Sequence, residues 1–205
     1  MSKYFALALG CGTQNREDKW LEVFYPNPVL NPDDKLVSSI ADEVDYQGGN
    51  LAVELNHRQI GKIARDWREA GFEHEASYAI AMQESQRPVV LVILENDDSP
   101  KTTPEAYLKL HLLSHRLVKP HGLNLTGIFG LLPNVAWTNE GAVDLDELPE
   151  RQLMARLDGR VLSVTSVDKF PKMTDYVVPA GVRIADTARV RLGAYIGEGT
   201  TIMHE

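Results

Sequence analysis

The apolar positions near the end of the chain recur at a spacing that neither a helix nor a strand produces. Val178, Ile184, Val190, Ile196 and Ile202 follow one another at intervals of six residues. An amphipathic helix places apolar residues three or four positions apart, and a half-buried strand places them two apart. A period of six is typical of a hexapeptide solenoid, whose coils contain about three hexads each. The pattern therefore predicts about one and a half coils at the end of this chain.

The predicted solenoid stops part-way through a hexad, at Glu205. A coil of a repeat protein buries its apolar face only against neighbouring coils. We therefore expect this chain to carry the beginning of a solenoid whose main part lies beyond residue 205. An open coil edge is also an unpaired β template, so we expect it to favour dimers or aggregation.

The rest of the chain alternates between short apolar runs and amphipathic stretches. The apolar runs predict strands at residues 4–9, 20–25, 51–55, 88–94 and 160–167, with extended chain at 128–137. Helical spacing predicts helices at residues 33–44, 56–70, 73–84, 103–118 and 147–157. Residues 88–94 are almost wholly apolar, which is typical of a central strand covered on both faces. Asn56 and Thr103 are the predicted N-caps of their helices.

This order of elements predicts an α/β (α+β) N-terminal domain at residues 1–120. A connecting segment with extended strands is predicted at residues 121–175, and the start of the solenoid at residues 176–205. The sequence contains no long linker between these parts. We therefore expect an α/β chain that runs directly into its first coils.

Composition narrows the possible partners and the compartment. The chain has 205 residues, with 29 acidic against 21 basic side chains and a net charge of −8. This negative charge argues against nucleic acid or an anionic membrane as a partner. Cys11 is the only cysteine, so we expect no internal disulfide and no thiolate metal cluster. No apolar stretch approaches the ~18 residues of a membrane span, and the start lacks a signal-peptide pattern, so we predict a cytoplasmic protein.

A glycine-rich tetrapeptide, Gly10–Thr13, follows the first predicted strand. Its backbone N–H groups could hold a phosphate, and the stretch LALGCGTQNR resembles the LAAGxGTR signature of sugar-nucleotide pyrophosphorylases. Gln14 stands where that signature has its phosphate-binding arginine. The ~175 residues before the hexads are also few for a whole nucleotidyltransferase domain. A tight turn is the favoured interpretation, and a nucleotidyltransferase with a hexapeptide tail remains an alternative.

Two histidines, His111 and His115, lie four positions apart on a predicted helix and so share a face that could chelate a metal ion. No HExxH motif and no evident third ligand accompanies them, which favours structural or surface histidines. Cys11 has no nearby histidine to lower its pKa, which favours a buried, unreactive thiol.

The end of the chain is locally basic within an acidic protein. Five basic side chains are concentrated there: Lys169, Lys172, Arg183, Arg189 and Arg191. Such a concentration fits a site for an anionic ligand and fits a solvated solenoid face equally well.

Several segments of the chain together resemble one enzyme family. They are GCGTQN, WLEVFYPNP and YQGGN in the first part, and TPEAYLKLHLLSHRLVKPHG, LLPNVAWTNEGAVDL and SVDKFPKMTDYVVPAGVRIADTARVRLGAYIGEGTTIMHE in the second. Together they resemble the tetrahydrodipicolinate N-succinyltransferases, in the subgroup with a large N-terminal α/β domain. The resemblance covers most of the chain and is dense from Thr103 onward.

The resemblance implies a left-handed parallel β-helix, of which this chain would hold the first one to two coils. It implies a cytoplasmic homotrimer with active sites between subunits, acting on small molecules and not on nucleic acid or membranes. The implied reaction moves a succinyl group from succinyl-CoA to the amine of 2-amino-6-oxopimelate, the ring-opened form of tetrahydrodipicolinate. This reaction belongs to the diaminopimelate route to lysine.

The resemblance also implies where the functional residues lie. The catalytic glutamate and the CoA-binding positions are expected beyond residue 205, so no catalytic or cofactor-binding residue is assigned here and the chain alone is predicted to be inactive. Glu205 is the one candidate metal ligand, for a Mg²⁺ shared by three subunits on the trimer axis. Ala188 occupies the place where some relatives offer a second acid. A non-catalytic trimerisation or binding module remains a further alternative.

Overall fold

The structure, a computed structural model, describes residues 2–204. Strands and helices are numbered separately in chain order. The strands are β1 (Ala6–Gln14), β2 (Trp20–Phe24), β3 (Val29–Leu30), β4 (Leu51–Leu55), β5 (Val89–Leu94), β6 (Val135–Thr138), β7 (Gly141–Asp144), β8 (Val164–Asp168), β9 (Arg183–Ile184) and β10 (Thr201–Ile202). The α-helices are α1 (Asp34–Ser38), α2 (His57–Glu69), α3 (Glu73–Gln83), α4 (Thr103–Ser114), α5 (Ile128–Leu131) and α6 (Leu148–Leu157).

The first sheet has five strands, in the order β2-β1-β5-β4, with β3 also paired to β1. All of its pairings are antiparallel. Every residue of β5 is buried, which confirms the predicted central strand. Its side chains alternate between two cores: Val89, Leu91 and Ile93 pack on one face with α2 and α3, and the residues between them pack on the other face with α4.

Helix α2 begins as the sequence predicts. The Asn56 side chain accepts a hydrogen bond from the Gln59 N–H at 3.0 Å, and the Gln59 side chain accepts one from the Asn56 N–H at 3.1 Å. This capping box satisfies two N–H groups that the helix leaves unpaired. In α3, Ala76, Ala79 and Met82 are buried, whereas Ile80 is 41% exposed.

The helix predicted at residues 33–44 is interrupted. Helix α1 ends at Ser38, and a 3₁₀ turn follows at Ala41–Val44. The carbonyl of Leu36 accepts hydrogen bonds from the Trp67 indole N–H at 3.0 Å and from the Ser39 hydroxyl at 3.1 Å. The Ile40 N–H therefore bonds to the Val37 carbonyl instead, at 3.2 Å. Side-chain competition for this carbonyl ends the α-helix six residues before the predicted end.

Helix α4 is buried on all sides, and every residue from 104 to 114 is buried. Its N-cap is Thr102 and not the predicted Thr103, since the Thr102 hydroxyl accepts from the Glu105 N–H at 3.3 Å. The helix ends at Ser114, earlier than the predicted residue 118, and Arg116 adopts a left-handed φ of 62°. One face of α4 packs on the first sheet, and the other packs on residues that lead into the hexads.

A second, smaller sheet has the antiparallel order β7-β6-β8 and is covered by α6. Residues 128–131, predicted to be extended, form the single helical turn α5 after Gly127, whose φ is 82°. The strand predicted at residues 160–167 begins later, at Val164. The preceding residues instead pack on α6, where Leu162 joins a small core with Ala155.

The hexads form a parallel pair of strands, β9 and β10, in which Arg183 lies opposite Thr201 and Ile184 opposite Ile202. The paired residues are 18 positions apart, which equals three hexads. The Ala185 N–H donates to the Ile202 carbonyl at 2.9 Å, so the chain returns onto itself after three hexads. Val178 departs from the pattern, because it is 71% exposed and its neighbour Val177 is the buried residue.

Candidate functional site

The C-terminal end of α4 holds the hexad segment in place. The Ser114 hydroxyl donates to the Ala194 carbonyl at 3.1 Å and accepts from the Gly193 N–H at 2.9 Å. The Arg116 guanidinium donates to the carbonyls of Ile196 at 2.6 Å and Ala180 at 2.9 Å. Two polar side chains at the end of the helix thus satisfy backbone groups of a segment 64 to 80 residues further along the chain.

Gly193 lets the coil approach α4 closely. Its φ is 97°, a conformation that favours glycine, and a Cβ there would lie 2.6 Å from the Leu110 side chain. Val190 and Leu192, on the same stretch, belong to the core that contains α4 and one face of β5. The first coil is therefore continuous with the core of the α/β part.

An open groove of about 680 Å³ runs between α4, α5 and the coil. Its floor is apolar and includes Leu110, Ile128 and Ile196, while Arg189 and Arg191 line one side. Phe129 stands at the groove, 70% exposed, with its ring packed edge-on against Phe170 at 5.2 Å between centroids. An apolar floor with a basic side suits a ligand or protein surface that combines apolar and negative groups.

The basic side chains near the end of the chain are partly neutralised. Arg191 pairs with Asp168 at 2.6 Å, and Lys172 lies 3.6 Å from Asp175. The Lys169 ammonium donates to the Leu132 carbonyl at 2.6 Å. Arg183 and Arg189 have no carboxylate partner within residues 2–204. They are the cations of the predicted set that remain available to an anionic ligand.

The tight turn predicted at Gly10–Thr13 is wrong. These residues lie inside β1 and pair with β2 on one side and with β5 or the residue preceding it on the other. The glycines serve close packing instead: a Cβ at Gly10 would lie 2.5 Å from the Tyr25 ring, and one at Gly12 would collide with the Glu22 carbonyl. The N–H groups of a strand do not point towards one common position. The phosphate-binding turn that the nucleotidyltransferase alternative needs at Gly10–Thr13 therefore does not form either.

The predicted structural role of the histidine pair is confirmed for His111. Its ring is fully buried, Nε2 accepts from the Tyr25 N–H at 3.2 Å, and Nδ1 donates to the Tyr107 carbonyl at 2.8 Å. Burial lowers the pKa of His111 from 6.5 to about 3. His115 stacks on it at 5.9 Å between ring centroids, and burial lowers its pKa too. Residues 2–204 bring no third metal-binding side chain to the pair.

Cys11 is half-buried, and burial, with the nearby Glu22 carboxylate, raises the pKa of its thiol. A raised pKa disfavours the thiolate, as expected for an unreactive cysteine. Sequence reasoning did not single out Glu22 in β2 or Lys109 in α4, both of which are buried charged residues. Each interrupts an apolar run, at Leu21–Val23 and Leu108–Leu110, and a charge enclosed by apolar neighbours is the signal that could have found them.

Comparison with known proteins places the chain in a family. The N-terminal family model of tetrahydrodipicolinate N-succinyltransferase matches residues 50–130, and the middle model of the same enzyme matches residues 132–172. The chain is 63% identical over 202 residues, or 98% of its length, to a 2,3,4,5-tetrahydropyridine-2,6-dicarboxylate N-succinyltransferase of Pseudomonas paraeruginosa. The chain belongs to the tetrahydrodipicolinate N-succinyltransferase family.

Other members show the same correspondence. The chain is 56% identical over 202 residues to the Vibrio cholerae protein of the same name. A crystal structure from Campylobacter jejuni, whose description names a 2,3,4,5-tetrahydropyridine-2-carboxylate N-succinyltransferase, matches all of the chain with a TM-score of 0.86 at 23% identity. That likeness shows a shared fold. The chain spans 58% of the Pseudomonas relative and 57% of the Campylobacter chain.

The candidate Mg²⁺ ligand that the family resemblance implies is Glu205, directly after the last described residue. Glu205 lies outside the described residues. Ala188 is described, in the 3₁₀ turn Thr187–Arg189, where its N–H donates to the Asp186 carboxylate at 2.9 Å. Its methyl group offers no oxygen ligand to a hard cation. Within residues 2–204, no helix is both long and apolar enough to cross a membrane.

Proposed function

We propose that the protein to which this chain belongs transfers a succinyl group from succinyl-CoA to the amine of 2-amino-6-oxopimelate, the ring-opened form of tetrahydrodipicolinate. The amine forms an amide with the succinyl carbonyl, and CoA leaves as its thiol. One observation carries the proposal: 63% identity across 98% of the chain to a relative named for this transfer. The reaction would serve diaminopimelate and lysine biosynthesis in the cytoplasm, where CoA thioesters are used.

In this proposal the chain supplies an N-terminal α/β domain (residues 1–120), a connecting segment (121–175) and the first coils of a left-handed parallel β-helix (176–205). The 18-residue offset between β9 and β10 supports the coil, because one coil of a hexapeptide β-helix contains about three hexads. Helix α4 then positions the first coil through the hydrogen bonds of Ser114 and Arg116.

We place the catalytic glutamate and the CoA-binding residues beyond residue 205. The relatives are longer than this chain, which spans 58% of the Pseudomonas protein. Arg183 and Arg189 are the residues of this chain that could still meet a negatively charged substrate at the solenoid, because they carry no ion pair within residues 2–204.

We further propose a homotrimer with active sites between subunits. The exposure of Phe129 and Val178, large apolar residues beside the coil, supports a covered surface there. A Mg²⁺ on the trimer axis would be held by Glu205 from each subunit. Since Ala188 adds no ligand, water would have to complete the coordination, and we derive no catalytic step through the ion.

The proposal is tested by comparing the 205-residue chain with the same chain extended by the C-terminal part of the Pseudomonas paraeruginosa relative. Turnover is measured as release of the CoA thiol from succinyl-CoA, dependent on the amine substrate. We expect turnover only from the extended chain. Light scattering should give this extended chain a mass three times that of one monomer. Turnover by the 205-residue chain would overturn the placement of the catalytic residues, and a folded but inactive extended chain would overturn the function.

A further inference from the structure

A second cavity, of about 520 Å³, lies where the first sheet, the β6–β7 hairpin and the segment entering the coil meet. None of its lining residues lines the groove beside the coil. Its volume falls within the range of small-molecule sites, about 300–1,000 Å³. The catalytic proposal gives this cavity no role.

A buried carboxylate, Glu22 of β2, lines the cavity. Its Oε1 accepts from the Thr13 hydroxyl at 2.6 Å, and its Oε2 accepts from the Tyr176 hydroxyl at 2.9 Å. Each carboxylate oxygen can accept a second hydrogen bond, so Glu22 retains capacity for a further donor. Burial raises the pKa of Glu22 by more than the two hydroxyls and the nearby Arg87 charge lower it. A cation in the cavity would supply the missing compensation.

A guanidinium, that of Arg87, lines the same cavity. Its Nη1 donates to the Thr13 hydroxyl oxygen at 2.7 Å, which is its only side-chain hydrogen bond within residues 2–204. It has no carboxylate partner in that part of the chain. A guanidinium presents five N–H donors in a planar fork that matches a carboxylate. Since a single hydroxyl, that of Thr13, connects Arg87 to Glu22, a positive and a negative group face the cavity side by side.

The remaining walls fit a small ligand with a hydrophobic body. Phe24 and Trp137 supply aromatic surface, and the Trp137 indole N–H is already used by the Asp168 carbonyl at 3.0 Å. Lys172 and Asp175, also at the cavity, lie 3.6 Å apart and neutralise each other. Arg87 and Glu22 therefore remain as the charges that select the ligand.

We propose that this cavity binds an amino-acid-sized zwitterion, whose carboxylate pairs with Arg87 and whose ammonium group donates to Glu22. Tyr176, which bonds to Glu22, belongs to the segment that enters the coil. The ligand would therefore lie against the joint between the first sheet and the coil, separate from the groove.

The test titrates free L-amino acids into the whole chain. Binding is followed by calorimetry and by the NMR signal of the Trp137 indole. Three probe types separate the two charges: the amino acid itself, its N-acetyl derivative without the ammonium group, and its amide without the carboxylate. We expect binding of the free amino acid, with at least ten-fold weaker binding of either derivative, and a shift of the Trp137 signal.

Arg87→Ala supplies the decisive variant, because Arg87 is exposed and we expect its substitution to change the stability of the fold little. Arg156→Ala is the matched control, an exposed arginine on α6 with no ion pair in residues 2–204 and no place in the cavity. We expect Arg87→Ala to weaken binding at least ten-fold and Arg156→Ala to leave it unchanged. Absence of binding by every free amino acid would overturn the proposal. Equal binding by Arg87→Ala, or a Trp137 signal unmoved at saturation, would also overturn it, because binding would then lie elsewhere, including at a substrate site.

Discussion

The first sheet and the hexad coil bury their apolar residues to very different degrees. All six residues of β5 are buried, enclosed by α2 and α3 on one face and α4 on the other. In the coil, Val190 is buried, but Ile184, Ile196 and Ile202 are only partly covered. The central strand of the α/β part is thus covered on both faces by that part's own helices, whereas the described coil depends on α4 for the burial it has. The contrast predicts that the same kind of substitution has different consequences in the two regions.

The largest effect is expected at Lys109, inside the α/β part. Its buried ammonium donates to the Asp97 carboxylate at 2.5 Å and to the carbonyls of Asp98 at 2.6 Å and Asn124 at 2.9 Å. Lys109→Met leaves the two carbonyls without a donor and the Asp97 carboxylate with the Asn124 N–H but no cation, so we expect a loss of ~3–5 kcal/mol in the free energy of unfolding. Urea denaturation measures it. Lys101→Met, at an exposed lysine just before α4, is the control; equal midpoints for the two variants would contradict the prediction.

The next effect is expected at Gly193, where the two regions touch. Gly193→Ala combines a left-handed backbone with a Cβ 2.6 Å from Leu110, so we expect a loss of ~2–3 kcal/mol. Gly199→Ala is a matched control, since φ is 79° there but no atom lies within 4 Å of the added Cβ, and it should lose only ~1 kcal/mol. Amide hydrogen exchange should show faster exchange in the coil than in β5 for Gly193→Ala. Uniformly faster exchange in both regions would show that they unfold as one.

A pH effect is expected at His111, which lies between the regions. Its pKa is about 3 when folded, against 6.5 for an ordinary histidine. The unfolded chain therefore binds this proton first, and stability that is complete above pH 6.5 is lost as the pH falls towards 3. At pH 5 the loss from this group is about 2 kcal/mol. The ring ¹⁵N signals should remain those of a neutral imidazole at pH 5, and titration near pH 6.5 would refute the buried assignment.

The smallest effect is expected at Arg116, which holds the coil from outside. Arg116→Ala removes hydrogen bonds to the Ile196 and Ala180 carbonyls, both of which water can replace in part. We expect a loss of ~1 kcal/mol, with faster amide exchange confined to the coil. Arg58→Ala, at an exposed arginine on α2 that forms no ion pair in residues 2–204, serves as the control. No difference between the two variants would mean that the coil is held by its apolar contacts alone.

Local signals in the sequence predicted much of the α/β part. Asn56 and Gln59 form a capping box because both partners lie within four residues, and β5 is buried because its run contains no polar side chain. Helix ends were predicted less well, since Ser39 and the distant Trp67 compete for the Leu36 carbonyl and so end α1 early. The candidate cavity was not predicted at all, because Glu22 and Tyr176 are 154 residues apart and nothing in the sequence pattern pairs them.

By itself the sequence determined the period of six, the three-hexad offset, the central strand and the family. Each of these follows from the order of neighbouring residues or from the identity of successive residues. Only the tertiary structure decided that Gly10 and Gly12 belong to a strand, and that α4 is enclosed on both faces. It alone brought Arg87, Glu22 and Tyr176 together. The physical reason is that close approach and burial depend on which distant surfaces meet. The hydrophobic pattern of one segment does not specify which other segment packs against it.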